Sequence, residues 1–185
     1  MPIRKVEWIM ERQEIAIDDF SLKPFEQFDK GWFLLTAGDF SKNEFNAMTV
    51  SWGGIGYIWR RPIVQVVVRP TRYTYQFMEQ HDSFTLCAFP EEKRDALTLL
   101  GSKSGRDGNK MLESGLTPIA SQKVAAPGYV EAELIFECRK IYWGDIDPQH
   151  FLAGDIHQNY QLKDYHRFYF GEILHLEGVD RFIGK

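Results

Sequence analysis

Asn46-Ala47-Met48-Thr49-Val50-Ser51-Trp52-Gly53-Gly54 and, further on, Val68-Arg69-Pro70-Thr71-Arg72-Tyr73-Thr74 are the two stretches on which the reading of this chain turns. Each is a strand-like run that ends in hydroxyl, amide or guanidinium groups, with glycines or a proline marking the turn. A strand presents its side chains alternately to two faces. Thr49 and Ser51 therefore share one face, and Met48, Val50 and Trp52 the other, so one face can pack a core while the other lines a polar site. The second stretch follows a near-continuous apolar run, residues 63–68, that stops at Arg69-Pro70. Proline ends ladder hydrogen bonding there, and a helical pattern follows over 72–80. Two arginines and two threonines thus fall within six residues, 69–74, at a strand-to-helix junction suited to holding a phosphate.

The six strands read from the sequence cover residues 33–37, 45–52, 63–69, 84–89, 129–143 and 165–176. Between them, residues 91–100 look helical, with Pro90 just before the start and Gly101 at the expected C-terminal cap. Residues 102–109 form a polar loop with two glycines, and a short helix is expected over 110–114. Residues 145–158 read as loop or short helix. Strands separated by short helices, without regular βαβ spacing, favour an antiparallel barrel with peripheral helices.

The chain has 185 residues and shows no repeat or linker, so a single domain spanning 1–185 is expected. A domain of this size buries roughly 70% of its unfolded surface and needs neither disulfide nor metal to fold. The formal net charge of −4 argues against nucleic acid as the main partner. Cys87 and Cys138 are far apart and read as small core residues in a reducing compartment. Residues 1–10 contain no apolar stretch of signal-peptide length, and no run approaches the ~20 apolar residues that span a bilayer. A cytoplasmic protein without a membrane partner is expected. His81, His150, His157, His166 and His175 show no metal-ligand spacing, so no metal site is expected.

Taken together, Asn46-x-Met48-Thr49-x-Ser51-Trp52-Gly53, Arg69-Pro70-x-Arg72-x-Thr74, the loop Ser102-Lys103-Ser104-Gly105-Arg106-Asp107 and His166-x-x-Tyr169-x-Gly171-Glu172 resemble the flavin reductase-like family. This is the FMN-binding split-barrel group that includes flavoredoxins, and the resemblance runs over residues 31–178. It implies a mainly β fold, a six-stranded antiparallel Greek-key split barrel with peripheral short helices. It also implies a homodimer with one FMN per subunit near the interface. By the same resemblance the 46–52 strand, with Asn46, Met48, Thr49, Ser51 and Trp52, would lie along the isoalloxazine ring, its backbone amides facing the ring's polar edge. Arg69, Thr71, Arg72 and Thr74 would serve the ribityl chain and phosphate, joined by Lys103, Ser104 and Arg106. His166 matches a family position near the flavin or the nicotinamide entrance and is the one catalytic candidate. Here the sequence departs from the family, with Asp164-Tyr165-His166 where many relatives carry Gly-Asp-His.

These residue types suit the chemistry. The FMN phosphate carries nearly two negative charges and needs arginine forks, hydroxyls and backbone N–H donors. Gly105 and Gly108 let the loop backbone approach a ligand, and the helix start near Arg72 would add N–H groups. Lys103 or Lys110 would supply a cation near the flavin N1 edge, and the sequence does not choose between them. Read singly, Thr49 and Ser51 are ordinary strand residues, Arg69 and Arg72 solvated charges, and residues 102–109 a surface loop; Trp52 and Trp59 serve as core or dimer anchors as readily as flavin contacts. The resemblance leaves three functions open. One is an NAD(P)H-dependent flavin reductase, with NADH or NADPH as transient co-substrate and a free flavin or other acceptor. The second is a flavoredoxin-like carrier reduced by a protein redox partner, and the third a non-catalytic FMN-binding protein.

Overall fold

A computed structural model describes residues 10–184. The signal-peptide reading of residues 1–10 therefore lies almost wholly outside the described residues. The strands are β1 (Gln13–Glu14), β2 (Phe33–Asp39), β3 (Glu44–Val50), β4 (Gly53–Ile58), β5 (Arg61–Val68), β6 (Ser83–Ala88), β7 (Pro118–Ile119), β8 (Gly128–Tyr129), β9 (Leu134–Asp145) and β10 (Arg167–Gly178). The helices are α1 (Pro24–Glu26), α2 (Thr74–Gln80), α3 (Arg94–Ser102) and α4 (Lys110–Ser114). No described helix is long and apolar enough to cross a membrane.

Eight strands form one antiparallel sheet in the order β3-β2-β6-β9-β10-β5-β4, with β1 added to the far end of β10. Phe33 and Leu35 of β2, Met48 of β3, Val66 of β5, Phe136 of β9 and Tyr169 of β10 all belong to one buried cluster. A single sheet can turn all those strands onto one cluster only by curling round it. Its ends, β3 and β4, do not pair with each other, so the barrel is split. A second cluster on the outer side of β2 and β3, with Leu34, Ala47, Cys87, Leu97 and Leu100, seats α3. Strand β2 is covered on both sides and is apolar almost throughout.

The six strands read from the sequence are β2, β3, β5, β6, β9 and β10; the structure adds β4 and the short β1 to their sheet, and a separate two-stranded pair, β7 with β8. Strand β4 pairs with β5 through a two-residue turn, Trp59-Arg60, with φ of 53° and 59°. Both residues lie in the left-handed region that Asn-Gly usually fills, so the hairpin carries no sequence signal. Element ends also shift. The long strand expected over 129–143 is a bridge at Gly128–Tyr129, a turn, and then β9. The helix expected from residue 72 starts at Thr74.

Gly101 is not a cap. It sits inside α3, which runs on to Ser102. A Cβ there would lie 3.1 Å from the Thr49 Cβ, so its absence lets α3 press against β3. Gly171 has a comparable role in the core. A Cβ on it would meet the Phe84 ring at 2.4 Å and the Cys138 Cβ at 2.8 Å, beside a register shift between β10 and β9. Gly171→Ala is expected to overpack this interior and cost roughly 1–3 kcal/mol. Thermal unfolding should show a Tm lower by about 3–10 °C; an unchanged Tm would mean that the contact can relax.

Candidate functional site

Strand β3 is an edge strand, so alternate N–H and C=O groups on its free side are unpaired by the sheet. The chain leaves β3 at Ser51-Trp52. Strand β5 ends at Val68, and β10 begins opposite it, with Arg167 paired to Val68. That register sets His166 beside Arg69 at the barrel mouth. A cleft of about 220 Å³ forms there, walled by residues 48–50 of the edge strand, Ser51 and Trp52 just after it, Val67, Arg69, Arg72 and His166. A second recess of about 150 Å³ lies between Thr71, Arg72 and Thr74 on one side and Ser102, Lys103, Ser104, Arg106 and Lys110 on the other. Met48 and Arg72 line both, so the two recesses adjoin at these side chains and form the two ends of one groove-like region.

The groove is cationic. Arg69, Arg72, Lys103, Arg106 and Lys110 line it, and among the described residues its walls contain no Asp or Glu. Arg72 donates to the Gly101 carbonyl and is half-buried. Desolvation, with the nearby Arg69 charge, lowers its pKa, so the site presses two like charges together. Arg106 donates to the Thr71 carbonyl at 3.2 Å and lies over the Tyr73 ring, 4.9 Å from its centroid. Ser104 Oγ accepts from the Arg106 backbone N–H at 3.2 Å, which folds the loop tip.

Several residues singled out from the sequence are spent on holding the groove's walls. Arg69 donates to Asp164 at 2.6 Å and to the Asn159 carbonyl at 2.8 Å, and stacks over Tyr160. Thr71 reaches the same Asp164 carboxylate at 3.4 Å. Together they tie the segment before β10 to the β5 terminus. Thr49 donates its hydroxyl to the Leu97 carbonyl of α3 at 2.5 Å, so its face of β3 meets a helix. Polar access to β3 comes along its backbone edge instead of its Thr49–Ser51 face. Asn46 is buried behind the groove and lines neither cleft; its amide donates to Thr74 at 2.7 Å and to the Ala47 carbonyl at 3.3 Å. Gly105 crosses just above it, since a Cβ there would lie 2.4 Å from Asn46 Oδ1. Lys103 Nζ is 2.7 Å from both oxygens of Glu113. The first N–H groups of α2 are also engaged, Tyr75 with the Arg72 carbonyl and Gln76 with that of Tyr73.

His166 is buried against Trp52, their rings 5.4 Å apart, and its Nδ1 lies 2.9 Å from the Tyr160 hydroxyl. Burial, and then the Arg69 charge, pushes its pKa down to about 4. The ring is therefore neutral near pH 7, able to give one N–H and accept one hydrogen bond. Tyr160 was not singled out from the sequence; it sits in a loop, and only the fold brings it to His166.

Residues 25–181 match the family described as flavin reductase like domain. Among solved structures, the FMN-binding domain of a flavin reductase-like enzyme from Shewanella baltica is 18% identical, with 90% of this chain and 76% of that one covered and a TM-score of 0.65. The flavoredoxin of Desulfovibrio vulgaris is 23% identical, covering 81% and 70%, with a TM-score of 0.62. The NADH:FAD oxidoreductase SgcE6 of Streptomyces globisporus is 16% identical, covering 79% and 73%, with a TM-score of 0.58. No curated protein sequence matches the chain.

The His166 environment has a pH signature. Its folded pKa is depressed below 6.5, so the unfolded ring takes up a proton first as pH falls. Stability from the neutral ring is full above about 6.5 and declines toward about 4. Denaturant unfolding across that window should show this slope, and His166→Gln should remove it; a slope unaffected by the substitution would place the titration elsewhere.

Proposed function

The chain belongs to the flavin reductase-like family, and from that premise we propose that it is an FMN-dependent oxidoreductase, a flavin reductase that draws hydride from NADH or NADPH. The observation that carries this reading is the adjacency of the two recesses. A recess lined by cations and hydroxyls, with no carboxylate among its described lining residues, adjoins across Met48 and Arg72 a cleft edged by unpaired strand backbone. The first end suits a phosphate and the second a flat ring with a polar rim, so the residues present fit FMN.

Arg72, Arg106, Ser104 and Thr71 would hold the phosphate end. Charge-assisted hydrogen bonds contribute roughly 1.5–3 kcal/mol each, enough in combination for micromolar binding or tighter after ordering costs. The free edge of β3 over residues 48–50, with Ser51 and Trp52 just beyond it, would meet the polar rim of the ring with N–H donors and C=O acceptors. Met48 and Val67 give that end apolar walls, and Trp52 bounds it while remaining 46% exposed. Bound FMN would supply the two-electron chemistry, accepting hydride from nicotinamide and passing electrons to a flavin or another acceptor. His166, neutral and fixed by Tyr160, would orient a ligand by hydrogen bonding rather than carry a charge. Buried, unpaired Cys87 and Cys138 suit a reducing cytoplasm.

A homodimer forms part of the proposal. Trp59 and Tyr142 are exposed, and they pack with Phe168 and Phe170 on the outer side of β9 and β10. A contiguous aromatic face of this kind marks an association surface, and two copies joined about a two-fold axis would cover it. Sedimentation of the flavin-loaded protein should give twice the chain mass; a monomer at micromolar concentration would count against this surface.

The function itself is tested by mixing FMN-loaded protein anaerobically with NADH and then NADPH while following the oxidised flavin absorbance. Rapid bleaching with either nucleotide is expected. A flavin that stays oxidised with both yet bleaches with dithionite would make the protein an electron carrier, and failure to bind any flavin would exclude both.

A further inference from the structure

Lys110 opens α4, yet it is only 4% exposed. Its Nζ donates to the Leu100 and Lys103 carbonyls, both at 3.0 Å. These carbonyls close the C-terminal end of α3, where a helix gathers partial negative charge. An ammonium has three donors, so two are used on α3 and one is left. No carboxylate among the described residues forms an ion pair with Lys110, whereas Lys103 is bridged by Glu113. The charged groups around it are Arg72 across the recess, Lys103 and Arg106 of the loop, exposed Asp107, and Glu113 on its own helix, already engaged with Lys103; on its other side Lys110 borders a second cavity that Glu44 and His81 also line, neither of them bonded to it.

A buried cation that faces a second cation and lacks a counter-ion is unfavourable. Burial, followed by the Arg72 charge, accordingly pushes the Lys110 ammonium down to about 8. Both cations line the same hydroxyl-bearing recess of about 150 Å³. An anion seated there would relieve both at once.

We propose that Lys110 is the counter-cation of the flavin phosphate, standing behind the recess while Lys103 is held back by Glu113. This rests on the FMN reading of the groove and assigns the phosphate's buried charge partner within it. Lys110 would also couple the anion to the end of α3, because the same ammonium holds the Leu100 and Lys103 carbonyls.

Riboflavin, which has the ring and ribityl chain but no phosphate, separates this role from a structural one. Lys110→Gln keeps an N–H donor for the carbonyls and removes the charge. Followed by quenching of flavin fluorescence, it should raise the FMN Kd about tenfold or more, with riboflavin Kd changed by less than about twofold. Lys103→Gln should change the FMN Kd by less than about threefold, because its charge is already neutralised. Equal losses for both flavins in Lys110→Gln, or a larger phosphate-specific loss in Lys103→Gln, would overturn the proposal. If the wild-type protein binds riboflavin but does not prefer FMN, the assignment of the phosphate fails; if it binds neither, the flavin reading fails with it.

Should Lys110→Gln not fold, the wild-type protein still decides. Near pH 8.5 the FMN phosphate is already fully ionised, so protons taken up on binding must come onto the protein. Calorimetry in two buffers of different ionisation enthalpy should show FMN taking up a substantial fraction of a proton more than riboflavin. Equal proton exchange for the two flavins would overturn the proposal.

Discussion

The pairing of Arg167 with Val68 is the constraint on which the groove depends. Strand β10 is held by β9 along one side and by β5 and β1 along the other, so its register cannot slip without disturbing three partners. A one-residue shift would turn every side chain of the strand to the opposite face. Tyr169 would leave the core, Gly171 would no longer lie under Phe84, and His166 would lose its place beside Arg69. The core and the site are therefore fixed by the same hydrogen-bond ladder. The ion pair of Arg69 with Asp164, both side chains mostly buried, carries that order one step further into the loop before β10.

Electrostatics within the groove run against those of the whole chain. A protein of net charge −4 places five cationic side chains around two adjoining recesses. Three have their charge or donors partly committed: Arg69 to Asp164, Lys103 to Glu113, and Arg106 to the Thr71 carbonyl. Arg72, Lys110 and Arg106 donate only to carbonyls, so these three carry the unbalanced charge, and Arg72 and Lys110 are the more buried of them. Local arrangement, rather than net charge, defines the ligand class here.

Much of this could be read from the sequence. The Met48–Trp52 run and the Arg69-Pro70 stop announce themselves, because alternation and proline are local signals, and Met48–Trp52 and Arg69 line the cleft. What escaped depends on distant neighbours. Gly101 has the residue type that a helix cap needs and that a close strand-to-helix contact needs; only the Thr49 contact tells them apart. Asn46 lies in the right strand, but its amide is turned to Thr74, behind the wall. Lys103 and Lys110 look alike in a polar loop, and their difference is the presence of Glu113 beside one of them. Strand β4 was invisible because Trp59-Arg60 takes a left-handed turn without glycine or asparagine.

The place of β10 in the sheet also bears on how the protein is made. Its partners come from residues 13–14, 61–68 and 134–145, so the sheet closes through contacts that span most of the chain. Such topologies fold slowly, because long loops must be ordered before their contacts form. On the ribosome, the earlier strands would wait with their edges uncovered until residues 167–178 emerge. His166, the clasp at Arg69 and the barrel mouth would come together in that same late event. The binding groove would thus mature as the barrel closes, and a nascent chain short of β10 would have no completed place for a cofactor.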